Sequence, residues 1–212
     1  MSARRPWPWV TALVVALALS AWFSTAGTPN LVYDRAAILH GEIWRLWTGH
    51  LVHFSVSHLF WDLIAATFAC AWIERAGFRG GRWLWVIAPP MVSLSMMFGE
   101  PTLARYGGLS AMATACVVFA CLGELQSPKA NRLVWWTILV FIAMKIAWEL
   151  FTGETIFAHF ENTAVQSVPL SHAAGAVAAV LVSLFFRRSI RAKISGKNEE
   201  VNFFAARTGA RL

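Results

Sequence analysis

Long apolar runs, separated by short polar breaks, follow one another along almost the whole chain. Several approach about 20 residues, the length of helix that crosses a bilayer. They predict helices over about 8–26, 56–74, 83–98, 108–125, 133–151 and 168–186, with no room between them for a soluble domain. Helices are the expected spanning form because each satisfies its own backbone hydrogen bonds in lipid. The fold class expected is all-α: a polytopic, six-transmembrane-helix bundle over residues 1–194, with a flexible cytoplasmic tail over 195–212. The first run, behind Arg4 and Arg5, has the look of a signal peptide. Its length and the runs that follow favour a retained first helix.

Composition strengthens this picture. Hydrophobic residues make up 58% of the chain and charged residues 14%, against about a quarter charged in soluble domains. The net charge of +7 does not point to nucleic acid, because the basic residues sit between the apolar runs, where they set topology. If Arg4 and Arg5 are cytoplasmic, fourteen of the 18 Lys and Arg residues fall on that side, with Arg35, Arg45 and Arg105 opposite and Lys145 inside a helix. Both termini are therefore expected in the cytoplasm. Cys70, Cys116 and Cys121 all lie in apolar runs, without metal-ligand spacing, and read as packing residues. The segment from Gly27 to Ser55 is rich in Trp, His and Leu and is expected to lie partly in the outer leaflet.

Ionisable residues in a spanning helix cost a few kcal/mol, so each is a functional candidate. They are His58 and Asp62 in the second run, Lys145 and Glu149 in the fifth and His172 in the sixth. Ser110 joins them. It follows Gly107 and Gly108 in YGGLSA and opens the fourth helix, where unpaired N–H groups can stabilise an anion. That suits a nucleophile whose intermediate carries an oxyanion, although a serine at a helix start is also an ordinary cap. Ser110 and His172 precede the inner ends of their helices, near Glu124 and Arg187, by almost the same number of residues, which gives them one depth. Small residues, Ala111, Ala113 and Ala115 against Ala173, Gly175, Ala176 and Ala179, would let the two helices approach closely. His172 could then take the Ser110 proton as general base. Lys145 and Glu149, four apart, could pair across one turn. Glu149 is a candidate substrate contact as well.

These residues resemble the rhomboid family of intramembrane serine proteases, across roughly 38–186. The match rests on Trp44-Arg45 in the outer loop, on HLVHFSVSHLFWD (50–62) beside the family's HxxxxHxxxN, on Gly108-Leu109-Ser110, and on His172-Ala173-Ala174-Gly175. The resemblance implies Ser110 as nucleophile, His172 as base, an oxyanion site of the Ser110 N–H, His53 and residue 62 with support from His58 and Gly108, and Trp44, Arg45 and Glu149 near substrate. It implies no cofactor and no metal. The runs WRLWTGHLVH and KIAWEL look most like the rhombosortase branch, associated with trimming proteins that carry C-terminal Gly-Gly sorting segments in Gram-negative bacteria. That implies single-span or C-terminally anchored membrane protein substrates and a multi-pass place in a bacterial inner membrane. The chain departs from the family pattern at Asp62, where an amide is usual, and at Ala111, Thr114 and Ala179.

Two other functions fit the same residues. One is a rhomboid-like protein that binds membrane clients without cutting them, favoured by Asp62 and Ala111. The other is a metal or proton transporter using His50, His53, His58, Asp62 and His172, since His58 and Asp62 are four apart on one helix face. Internal repeats, common in carriers, are not evident.

Overall fold

The computed structural model describes residues 7–24, 28–153 and 168–186. The expected tail over 195–212 and the arginines at 4 and 5 lie outside these. Within them the protein is helical, apart from one two-residue strand pair. In chain order the elements are α1 (Trp9–Phe23), α2 (Thr28–Leu31), β1 (Tyr33–Asp34), α3 (Arg35–Leu39), α4 (Arg45–Thr48), a 3-10 turn (Gly49–Leu51), α5 (Val56–Ala76), α6 (Gly81–Gly99), β2 (Arg105–Tyr106), α7 (Ser110–Glu124) and α8 (Arg132–Thr152). The last is α9 (Pro169–Phe186). The helices α5, α8 and α9 are long and apolar enough to cross a membrane, and α1 and α7 are shorter apolar helices.

The ends of the helices follow from local chemistry. Ser55 accepts from the His58 N–H to start α5, and Gly77, in the left-handed conformation, ends it. Asn131 caps α8 and the left-handed Gly153 closes it. Glu74, at the far end of α5, accepts from the N–H groups of Val10 and Thr11 and so caps α1 from another helix.

Contacts between helix ends fix their directions. The α5–α6 turn meets the last turn of α7, where a side chain on Gly123 would strike Phe78, and the end of α9, where one on Gly80 would strike Phe186. Trp72 near the end of α5 donates to Glu124 at the end of α7 and stacks edge-on with Trp135 near the start of α8. At the opposite end Gly108 abuts His58, and Gly99 abuts Leu170. The six longer helices α1, α5, α6, α7, α8 and α9 therefore alternate in direction, and α7 and α9 run parallel. The core sits around α7, which touches α5, α6 and α8; Ala111 to Cys116 are all buried.

Residues 28–55 fold into their own cap over one end of the bundle. Tyr33 and Asp34 pair with Tyr106 and Arg105 in antiparallel register, which ties this segment to the turn before α7. Asp34 accepts from the Ala37 N–H and pairs with Arg105. The first of these bonds does most to hold its carboxyl below the usual range. Arg45 is buried, donates to the carbonyls of Pro29 and Val32, and pairs with Glu42 at 2.6 Å.

Candidate active site

The turn before α7 is built on glycine. Gly108 has φ +128°, a region that residues with a Cβ scarcely enter. A side chain there would also run into the His58 ring and the Asp62 carboxylate, while one on Gly107 would strike the Val52 carbonyl. The backbone thus lies directly on α5 and delivers Ser110 to the first position of α7. Leu109, the N-cap residue, offers no side-chain hydrogen bond to the helix. The first N–H groups of α7 are those that an α-helix leaves without internal partners. Ser110 itself is only partly buried.

Behind Gly108 lie three buried side chains. His53 Nε2 and His58 Nε2 approach the same oxygen of Asp62, Oδ2, at 3.2 and 3.1 Å. His53 Nδ1 faces the Leu51 carbonyl at 3.1 Å, so Nδ1 carries the proton and Nε2 a lone pair. That lone pair accepts from the Leu109 N–H at 3.3 Å. The histidine expected to donate at an oxyanion site thus has both ring nitrogens engaged and instead braces the residue before Ser110. The potential ligand atoms of His53, His58 and Asp62 lie within 4.8 Å of one another, close enough to hold a metal ion.

Helix α9 brings His172 to the same place. A side chain on Gly175 would strike the Ala111 carbonyl, so the two backbones touch one residue beyond Ser110 and one turn beyond His172. The Tyr106 hydroxyl interacts with the side chains of both Ser110 and Ser171. Ser110 and His172, drawn from different helices, thus sit at the same end of parallel, contacting helices.

His172 Nδ1 lies 2.7 Å from Glu149 Oε2, and Glu149 Oε1 accepts from Lys145 Nζ at 2.6 Å. Glu149 has no exposed surface, and it alone among the residues of α8 is buried. The expected Lys145–Glu149 pair forms, and His172 is a partner that spacing along one helix could not indicate. The two outer-loop candidates lie apart from this group. Arg45 is engaged inside the cap, and Trp44, 49% exposed, donates to the Asn30 carbonyl.

Comparison with protein-family models finds no family that matches this chain, and comparison with curated proteins finds no match.

Proposed function

We propose that this protein is an intramembrane serine endopeptidase of the rhomboid type, with Ser110 as nucleophile and His172 as general base. The observation that carries the reading is the contact of Gly175 with the Ala111 carbonyl, which supports a Ser110–His172 pairing within reach of proton transfer. An uncapped helix start at Ser110 supports the oxyanion role of its N–H. The alternating helices support six spans with both termini cytoplasmic, as the basic residues require. In that orientation Ser110 lies toward the outer face. At about 1.5 Å per residue the 15 residues of α7 cover about 22 Å, less than a hydrocarbon core of about 30 Å. The nucleophile then sits below the outer surface, where it meets a membrane-anchored chain. Substrates are single-span or C-terminally anchored proteins, cut near the outer face, with Gly-Gly sorting segments as the favoured class. His53, His58 and Asp62 hold the Gly108 turn and line the oxyanion site.

The test is labelling with a fluorophosphonate in detergent. Wild type is expected to label, whereas Ser110→Ala does not and His172→Ala labels far more slowly. The membrane proteomes of cells with wild-type and Ser110→Ala protein should then differ by the uncut substrates. Equal labelling of wild type and Ser110→Ala removes the serine assignment.

One observation favours the transporter reading, the convergence of His53, His58 and Asp62. Bound metal in purified protein, lost on Asp62→Ala, together with no labelling at Ser110, would favour it.

A further inference from the structure

Helix α8 presents most of its surface outward; the share of its length buried inside the protein is 6%. Against that background one carboxylate with no exposed surface needs a reason, because an unpaired charge at that depth is expensive. Both oxygens of Glu149 are engaged, Oε1 by Lys145 Nζ at 2.6 Å and Oε2 by His172 Nδ1 at 2.7 Å. Lys145 Nζ also lies 3.3 Å from His172 Nδ1. The Lys145 ammonium and the His172 imidazole therefore converge on one acid, and that acid decides whether the ammonium turns to the imidazole.

We infer that Glu149 is the positioning residue of the site, so that Ser110, His172 and Glu149 act as one three-residue unit; the inference rests on the peptidase reading above. Neutral His172 donates Nδ1–H to Glu149, which leaves a lone pair on Nε2. Ser110 Oγ then bonds to the peptide carbonyl carbon while its proton passes to Nε2 and the carbonyl π pair moves onto oxygen. Glu149 stabilises the imidazolium without taking its proton. As the C–N bond breaks, Nε2–H goes to the leaving amine. Water, deprotonated by the same nitrogen, then adds to the acyl carbon, and Nε2–H returns that proton to Ser110 Oγ as its bond to the acyl carbon breaks.

Lys145 gives the inference a sharp consequence. With Glu149 ionised, the ammonium is held on Oε1. With Gln at 149, the ammonium is free to donate to Nδ1 of His172, which forces the proton onto Nε2 and removes the base. A support role in packing alone predicts no such antagonism between Lys145 and His172.

The test measures the rate of fluorophosphonate labelling in detergent micelles for wild type, Glu149→Gln, Glu149→Asp and Glu149→Gln with Lys145→Met, with folding followed by thermal melts. Glu149→Gln is expected to lose about 10³–10⁴ in rate, as when the acid of a serine triad becomes an amide. Glu149→Asp and the double variant should each regain part of that loss. A Glu149→Gln rate within about threefold of wild type, with the same pH profile, overturns the inference. A second measurement needs no fluorophosphonate and no variant at Glu149. ¹⁵N NMR of wild-type protein, with His172 assigned through His172→Gln, is expected to show the proton on Nδ1 at neutral pH. A proton on Nε2 overturns the inference even if the peptidase reading stands. If wild type fails to label while the Nδ1 tautomer is present, the peptidase reading falls and the Glu149–His172 pairing survives it.

Discussion

The indole N–H of Trp47 donates to the Val86 carbonyl across 3.0 Å, the acceptor that Pro90 leaves without its helical partner. Pro89 and Pro90 lie inside α6, where proline normally breaks a helix by removing a hydrogen bond and crowding the previous turn. Here the cap segment replaces one of the lost donors. Beside it His50 Nε2 lies 3.1 Å from the Pro89 carbonyl, and Ser93 links His50 to the Leu46 carbonyl. These bonds fasten the cap to α6 and so hold the 3-10 turn whose Gly49 carbonyl accepts from Gly108 at 3.4 Å.

Trp47→Phe keeps the ring and removes that donor. It is expected to destabilise the protein by about 1 kcal/mol, the usual net worth of one hydrogen bond. In a Pro90→Ala background the new N–H at 90 supplies the Val86 carbonyl, so the same change should cost less. Thermal melts of the four proteins in detergent give the coupling. Equal costs in both backgrounds would show that the indole does not compensate for the proline.

The approach of α9 to α7 gives a second prediction. Ala at 175 would drive a methyl group into the Ala111 carbonyl, which belongs to backbone and cannot turn aside. The helices must separate by a fraction of an ångström to about one ångström, and displacements of that size at a reacting pair cost about 10²-fold. Gly175→Ala is therefore expected to keep its helical circular dichroism and to label about 10²-fold more slowly. Wild-type labelling by a folded Gly175→Ala would mean that this contact does not set the distance between Ser110 and His172.

Much of the architecture is legible in the sequence because apolar run length is a local signal. Expected helices over 56–74 and 133–151 correspond to α5, Val56–Ala76, and α8, Arg132–Thr152. Expected helices at 83–98 and 168–186 differ from α6 and α9 by at most two residues at either end. The loop over 27–55 was legible as unusual for an exposed linker, but not as a cap with its own hydrogen bonds. Its shape depends on donors such as Trp47 meeting carbonyls in α6, and no local pattern encodes such pairs. The same holds for Glu74, which caps α1 across 63 and 64 residues of sequence. Lys145 and Glu149 were readable as a pair because their spacing is helical; their third partner, His172, belongs to a different helix. Ser110 and His172 could be set at one depth by counting along two helices, whereas their side-by-side approach depends on Gly175.

Membrane orientation can be tested without any substrate. Reporters fused after residue 30 and after residue 155 are expected on the outer side, and fusions near 78, 129 and 195 in the cytoplasm, because the basic residues cluster around the latter three. A cytoplasmic signal at 155 would break the alternation of α8 and α9 relative to the bilayer. It would also remove the common depth assigned to Ser110 and His172.

Asp62 stands where the resemblance implies a hydrogen-bond donor, yet a carboxylate only accepts. Its Oδ2 lies near both His53 Nε2 and His58 Nε2, but His53 Nε2 already accepts from Leu109, so as a carboxylate Asp62 accepts from His58 Nε2–H and fixes that ring. The consequence runs through Leu109. His53 spends its Nε2 lone pair on the Leu109 N–H, the group just before the nucleophile. Asn at 62 would turn its oxygen to His58 Nε2–H and its NH₂ to His53, where it competes with Leu109 for that lone pair. The turn would then lose a brace while the cluster as a whole remains hydrogen-bonded. Asp62→Asn is accordingly expected to melt near the wild-type temperature but to label about 10²–10³ more slowly, the scale associated with a disturbed oxyanion site. The alternative is that Asp62 works as a protonated donor, which an amide would replace at no loss. Labelling rates of wild type and Asp62→Asn across pH separate the two: an Asn variant as fast as wild type or faster throughout would mean that residue 62 serves by donating, and that the brace on Leu109 is incidental.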